Sequence, residues 1–164
     1  HRDLHSFPTR RSSDLLVYFA SDSFSNASSG GRYSGIYTAM PFHIKDFEAE
    51  ITKRFWFDFI IGGRRVKTNN TYIDKHISIK SNKRDLISLM IDVKLTELYL
   101  KLWDKYPPFK IVFGVNVPVF NELKNQLVFG VEFNTWIFPQ NFEKEFDDLS
   151  ELIENLKRRI ERAF

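Results

Sequence analysis

The chain has 164 residues with 24 Lys and Arg against 21 Asp and Glu, which is room for one domain of ordinary size, and charges so close to balance leave no electrostatic footprint for a nucleic-acid partner. There is no cysteine, which excludes disulfides, thiolate catalysis and sulfur-ligated zinc and fits a cytoplasmic protein. No run of about 18 apolar residues is present to cross a membrane, while 17 phenylalanines point to sheet and helix faces packed through aromatic rings.

Residues 1–15, HRDLHSFPTRRSSDL, resemble the translation of a sequencing-library adapter, one frame of which accounts for every residue from His1 to Asp14. The resemblance implies a segment foreign to the natural protein, to be set aside before any motif is read. Pro8 to Ser13 would otherwise pass for a basic phosphosite or a localisation signal. Without the segment three arginines and two aspartates go, so the net charge falls by one, and His43 and His76 are the histidines that remain. A membrane span could then belong only to sequence upstream of Leu16.

Leu16 to Ala20 is a short apolar run that fits either a strand or the tail of a helix. Ser21 to Gly31, rich in Ser, Asn and Gly, reads as a flexible connection, so residues 16–31 form a linker or truncated element ahead of a single domain over 32–164. Asn26-Ala27-Ser28 and Asn69-Asn70-Thr71 fit the glycosylation pattern, which arises often by chance. Tyr33 to Met40 is β-branched and aromatic, ends at Pro41, and predicts a strand.

Phe47 to Ile61 alternates with the strand period: Phe47, Ala49, Ile51, Lys53, Phe55, Phe57, Phe59 and Ile61 fall on one almost wholly apolar face, which is expected to be core, and Glu48, Glu50, Thr52, Arg54, Trp56, Asp58 and Ile60 on a mixed one. An aromatic ligand groove is the functional alternative. Gly62-Gly63 then stops the pattern in a tight reversal beside Arg64 and Arg65.

Tyr72 to Lys80 alternates again, with Ile73, Ile77 and Ile79 opposite Asp74, His76, Ser78 and Lys80. Asp74 and His76 would share a strand face, two residues apart, where a carboxylate could orient an imidazole for acid–base work. These two are the candidate catalytic residues, with His43, Asp58 or Glu122 as further donors, although no nucleophile motif accompanies them. A solvated strand face is the plain alternative. Nothing in the spacing calls for a metal or cofactor.

At Ser81-Asn82 the period changes from 2 to 3.6. Leu86, Leu89, Met90 and Val93 form one stripe, and Leu95, Leu98 and Leu102, with Tyr99 and Trp103 beside them, a second. One long helix or two short ones broken near Asp92, a ready cap, would both satisfy this pattern. Tyr106-Pro107 ends it.

Phe109 to Val117 and Leu127 to Phe133 alternate as two strands of an antiparallel hairpin joined by a long loop. Gly114 and Gly130 mark either bulges or places where something packs close to the sheet. From Asn141, a candidate cap, apolar residues recur at Phe142, Phe146, Leu149, Ile153, Leu156, Ile160 and Ala163. Acids lead and bases follow, as the helix dipole prefers. Such a stripe covers a sheet or forms a seam between two copies.

The order of elements is that of an α+β sandwich: a largely antiparallel sheet of about five to six strands with two or three helices on one face. From Thr68 onward, the run Thr68-Asn69-Asn70-Thr71-Tyr72-Ile73-Asp74, then Ile77-Ser78-Ile79-Lys80-Ser81, then the hairpin and helix from Phe109 to Phe164, resembles a domain of uncharacterised bacterial proteins. That group usually has Gly-Asp where this chain has Asn69-Asn70. The resemblance implies a domain often carried C-terminal to membrane helices, and it brings neither an activity nor site residues to this chain.

Three functions follow as expectations: a non-enzymatic interaction or scaffold domain with a protein partner, cytoplasmic or tethered to a membrane upstream; a small-ligand binder or enzyme using Asp74 and His76; and a homodimerisation module using the C-terminal helix.

Overall fold

Alternating side chains of one sheet can satisfy two environments at once, and this chain uses that freedom throughout. The computed structural model describes the backbone of residues 5–12, 15–26, 29–55, 65–106, 108–115, 123–135 and 139–164, and side chains over 34–55, 65–106, 108–115, 123–135 and 148–164. Among the described residues the elements run β1 (His5–Ser12), β2 (Leu15–Asn26), β3 (Ser29–Met40), β4 (Ala49–Lys53), α1 (Thr71–His76), β5 (Ile77–Ser81), α2 (Arg84–Met90), α3 (Val93–Lys105), β6 (Phe109–Phe113), β7 (Leu127–Phe133) and α4 (Pro139–Ala163).

The strands form a single sheet in the order β1-β2-β3-β7-β6-β4-β5, with every adjacent pair antiparallel. The fold is α+β. The register sets Ile36 opposite Val131 and Phe133 opposite Phe109, so Ile36, Ile51, Ile79, Ile111, Phe113, Phe129, Val131 and Phe133 share one face, each at most 2% exposed. Against them pack Ile87 and Met90 of α2, Leu95, Tyr99 and Leu102 of α3, and Leu149, Leu152, Ile153, Leu156 and Ile160 of α4. Phe113 and Phe129 stack with ring centroids 6.0 Å apart.

Several expected boundaries move, each for a local reason. The strand from Phe47 is short: Phe47, Ala49 and Ile51 are buried as the alternation requires, but β4 ends at Lys53 and Phe55 is 41% exposed, with its ring edge on Trp103. One more in-register bond follows, the Arg54 amide donating to the His76 carbonyl at 2.9 Å, at the point where the partner strand gives way to α1, and the Arg54 guanidinium donates to the Asp74 carbonyl at 2.5 Å. Phe57, Phe59, Ile61 and Gly62-Gly63 lie outside the described residues.

Tyr72 to His76 is a helix, not a strand. Asn70 caps it, its side chain accepting from the amides of Tyr72 and Ile73 at 3.0 and 3.3 Å. Asn69 before it sits at φ 63°, a conformation asparagine tolerates. The spacing Ile73-Ile77 suits one helical turn as well as two strand repeats, which is why alternation alone misled.

The break near Asp92 is real. Its carboxylate accepts the Leu95 amide at 2.7 Å and starts α3 as a separate helix. In α2 the buried pair is Ile87 and Met90, while Leu89 of the expected stripe is 66% exposed. The cap position there is Lys83; Ser81 and Asn82 instead hold the approach to β4, Asn82 accepting the Glu48 amide at 3.0 Å and donating to the Asp46 carbonyl. Helix α4 starts at Pro139, two residues before the expected cap. Upstream, Leu16–Ala20 belongs to a strand, and the Ser- and Gly-rich stretch after it forms a hairpin in which Asn26 pairs with Ser29. Turn residues at a hairpin tip have the composition of a linker.

Candidate functional site

The face of the sheet turned away from the helices carries the other parity of each strand. Tyr37 on β3 opposes Gly130 on β7; Gly35 opposes Glu132; Lys110 on β6 opposes Glu132; Glu50 on β4 opposes Val112 on β6 and Lys80 on β5. Five polar side chains therefore meet in one row across five strands. The Tyr37 hydroxyl donates to Glu132 Oε1 at 2.8 Å, Lys110 Nζ bridges Glu132 Oε2 at 3.2 Å and Glu50 Oε2 at 3.1 Å, and Lys80 Nζ reaches Glu50 Oε1 at 3.5 Å.

Two details of sequence make the row. Gly35 has no side chain, so the Tyr37 ring lies back along its own strand and delivers the hydroxyl to Glu132; a Cβ at position 35 would come within 2.2 Å of that hydroxyl and 2.5 Å of the ring edge. The alternation of Glu50, Lys110, Glu132 and Lys80 on neighbouring strands then pairs every charge with an opposite one. Burial is the largest influence on Glu50 and pushes its carboxyl up, but the hydrogen bonds and charges of Lys110 and Lys80 together outweigh it and hold the carboxyl below its usual range. Burial likewise pushes the Lys110 ammonium down, and Glu132 and Glu50 more than reverse it. Both shifts favour the ionised forms of Glu50 and Lys110.

Above its β4–β5–β6 end lies an open groove of about 930 Å³, lined among others by Glu50, Lys80, Asn82, Arg84, Lys110 and Glu132. A second cavity of about 440 Å³ adjoins it through Glu48, Gly114 and Val115. Three residues with φ between 53° and 70°, Asp46, Gly114 and Asn125, line that second cavity. Gly114 is required there, since a Cβ would strike the Phe47 carbonyl oxygen. Comparison with family models, curated proteins and solved structures finds no match.

The candidate pair Asp74 and His76 is not brought together. Two residues apart on a helix point roughly 200° apart around the axis, and each has its own local partner. Asp74 accepts the Thr68 amide and hydroxyl, both at 2.9 Å, closing the turn before α1. His76 Nδ1 lies 2.8 Å from the Tyr72 carbonyl and its ring stacks on Tyr72 at 4.3 Å. Of the further donors, His43 lines the smaller cavity, and Asp58 and Glu122 lie outside the described residues. Among the described residues no group of three His, Asp or Glu side chains could hold a metal ion.

Of the seam on the last helix, Leu149, Ile153, Leu156 and Ile160 are at most 2% exposed within the chain's own core, and the side chains of Phe142 and Phe146 lie outside the described residues. A seam between two copies would need side chains that this core already buries. Sequence reading missed Tyr37, Glu50, Lys110 and Glu132 as a set. The available signal was charge of alternating sign on the polar parity of consecutive strands, which becomes a row only once strand order is known.

Proposed function

We propose that this chain is a non-enzymatic interaction domain that recognises a protein partner through the charged face of its sheet. The observation that supports this reading is the row from Tyr37 through Glu132, Lys110 and Glu50 to Lys80, beside an open groove, on the face that the helices leave uncovered. Every acid in the row is matched by a base, an arrangement that presents fixed polar groups for recognition and holds no spare group poised for proton transfer. The bacterial domain that residues 68–164 resemble motivates a membrane-tethered setting. Among the described residues no helix is long and apolar enough to cross a membrane, so the anchor in this reading belongs to other sequence.

Two measurements on the full chain test the proposal. A thermal-shift screen against nucleotides, divalent metals and small metabolites should give no saturable shift; such a shift by a nucleotide or metal overturns it. Selection from a displayed peptide library should enrich binders that the Lys80→Glu variant no longer retains. Enriched peptides that bind the variant equally well place recognition elsewhere and overturn the choice of surface.

A further inference from the structure

We infer that the partner segment received by the groove is an acidic stretch of polypeptide, its carboxylates bound by Lys80, Lys83 and Arg84 where β5 passes into α2, a reading that deepens the proposed function and rests on it.

Between β5 and α2 the chain turns through Asn82 and Lys83, and the polar groups of this turn are directed at the approach to β4. The Asn82 amide donates to the Glu48 carbonyl at 3.2 Å, its side-chain oxygen accepts the Glu48 amide at 3.0 Å, and its side-chain nitrogen donates to the Asp46 carbonyl. The Ser81 hydroxyl donates to the Glu48 carbonyl at 3.1 Å and accepts the Lys83 amide at 3.1 Å. A turn fixed in this way meets a partner with its groups already ordered, which lowers the entropic cost of binding.

The cations on the turn are positioned without being neutralised. Lys83 Nζ donates to the Lys45 carbonyl at 2.6 Å, and the Arg84 guanidinium donates to the Lys67 carbonyl at 3.0 Å. A carbonyl oxygen orients a cation but carries no net charge to cancel it. Among the described residues neither side chain pairs with a carboxylate. The contrast with the row is plain: Lys110 lies between two carboxylates at 3.1 and 3.2 Å, whereas Lys80 shares Glu50 with it, lies 3.5 Å away and keeps 59% of its side chain exposed. Lys80 and Arg84 both line the groove, and the two carbonyl bonds draw the backbone of Lys45 and Lys67, also exposed, to the same end.

Carboxylates of a partner supply the opposite charge that these side chains lack, through charge-assisted hydrogen bonds that Arg makes as a fork and Lys as a point. Asp46, Glu48 and Asp85, all exposed, are interspersed among the cations in sequence. Such a mosaic suits a short segment with separate carboxylates and disfavours the unbroken charge of a nucleic-acid backbone.

The test uses the full chain and synthetic copies of the peptides that it enriches from the displayed library. These should be rich in Asp and Glu, and should bind about tenfold more weakly in about 0.3 M salt than in about 0.05 M. Lys83→Met and Arg84→Met, with urea midpoints recorded to show that each is folded, should each weaken them about tenfold, and Arg84→Lys should recover part of the loss. Changing every Asp and Glu of a peptide to Asn and Gln tests the same contact on the unaltered chain and should abolish binding. Peptides that need Lys80 yet keep their affinity after that change overturn the acidic segment and leave the charged face as the surface. Folded Lys83→Met and Arg84→Met variants that bind as the parent does overturn it as well. Absence of any peptide that depends on Lys80 overturns both readings. A chain that sediments with phosphatidylserine vesicles and binds no acidic peptide assigns these cations to a membrane surface and overturns the inference.

Discussion

The two faces of β3, β7, β6, β4 and β5 share one backbone and one register, yet they carry very different side chains. On the helix-covered face, eight Ile, Val and Phe side chains are at most 2% exposed, and each such burial contributes about 1.5–3 kcal/mol. On the other, Glu50, Lys80, Lys110 and Glu132 keep between 18% and 59% of their side-chain surface in contact with solvent. Ion pairs that wet contribute about 0–1 kcal/mol each. Most of the buried apolar surface lies on the first face, while the second keeps a small buried cluster of Tyr37, Val112, Leu123 and Val128 beside charges that it presents at little cost to the fold. A binding surface placed there can change without threatening the core.

Substitutions separate the two faces by size of effect. Phe129→Ala, which empties the centre of the helix-covered face beside Phe113, should cost about 3–5 kcal/mol in urea unfolding. A loss below about 1 kcal/mol would mean that this face is not the core. Gly114→Ala should follow at about 2 kcal/mol or more, because residue 114 has φ 70° and a Cβ meets the fixed Phe47 carbonyl. An unchanged midpoint for that variant would show that the loop can move aside.

Lys110→Met addresses the charged face and should cost about 1 kcal/mol at neutral pH, since it leaves Glu50 and Glu132 facing each other with their bridge gone. Its clearer signature is in pH. The Glu50 carboxyl is held below its ordinary value, so its contribution is complete above about pH 4.3 and is lost as pH falls through the folded value. The Lys110 ammonium is held above its ordinary value, so its contribution is complete below about pH 10.4 and is lost as pH rises through the folded value. The variant should therefore show a flatter stability profile at both extremes. Asp92, held low against burial by Arg159 and the Leu95 amide, keeps part of the acid slope in either protein. A profile identical to that of the parent chain would mean that the row does not act as a unit.

Much of the fold is legible in the residues, and the errors share a cause. Leu127 to Phe133 reads correctly to the residue because Leu127, Phe129, Val131 and Phe133 recur at every second position, a spacing that a helix does not place on one face. Asp92 reads as a ready cap because its short acceptor side chain precedes an apolar period of 3.6, but the same pattern suits one unbroken helix, and the bond from the Leu95 amide decides for two. By contrast, Tyr72 to His76 reads as strand because the Ile73-Ile77 spacing satisfies both periods, and the deciding group, the Asn70 side chain bonded to two amides, acts outside the pattern. Within Phe47 to Ile61 the strand expected from alternation ends at Lys53 among the described residues, because alternation reports which face a residue would occupy and not where the pairing with a neighbour stops.

The candidate site was legible only in pieces. Glu50, Lys80, Lys110 and Glu132 each fall on a polar parity that alternation identifies, while their meeting depends on β7, β6, β4 and β5 being neighbours in that order. Composition, parity and capping are local quantities, carried by residues within a few positions of each other, and they determine by themselves that this is an α+β domain with an apolar face for helices. Strand order and register are set by which arrangement buries the most apolar surface over the whole chain. That global balance, available only in the tertiary structure, decided that four isolated charges and one tyrosine would stand in a single row.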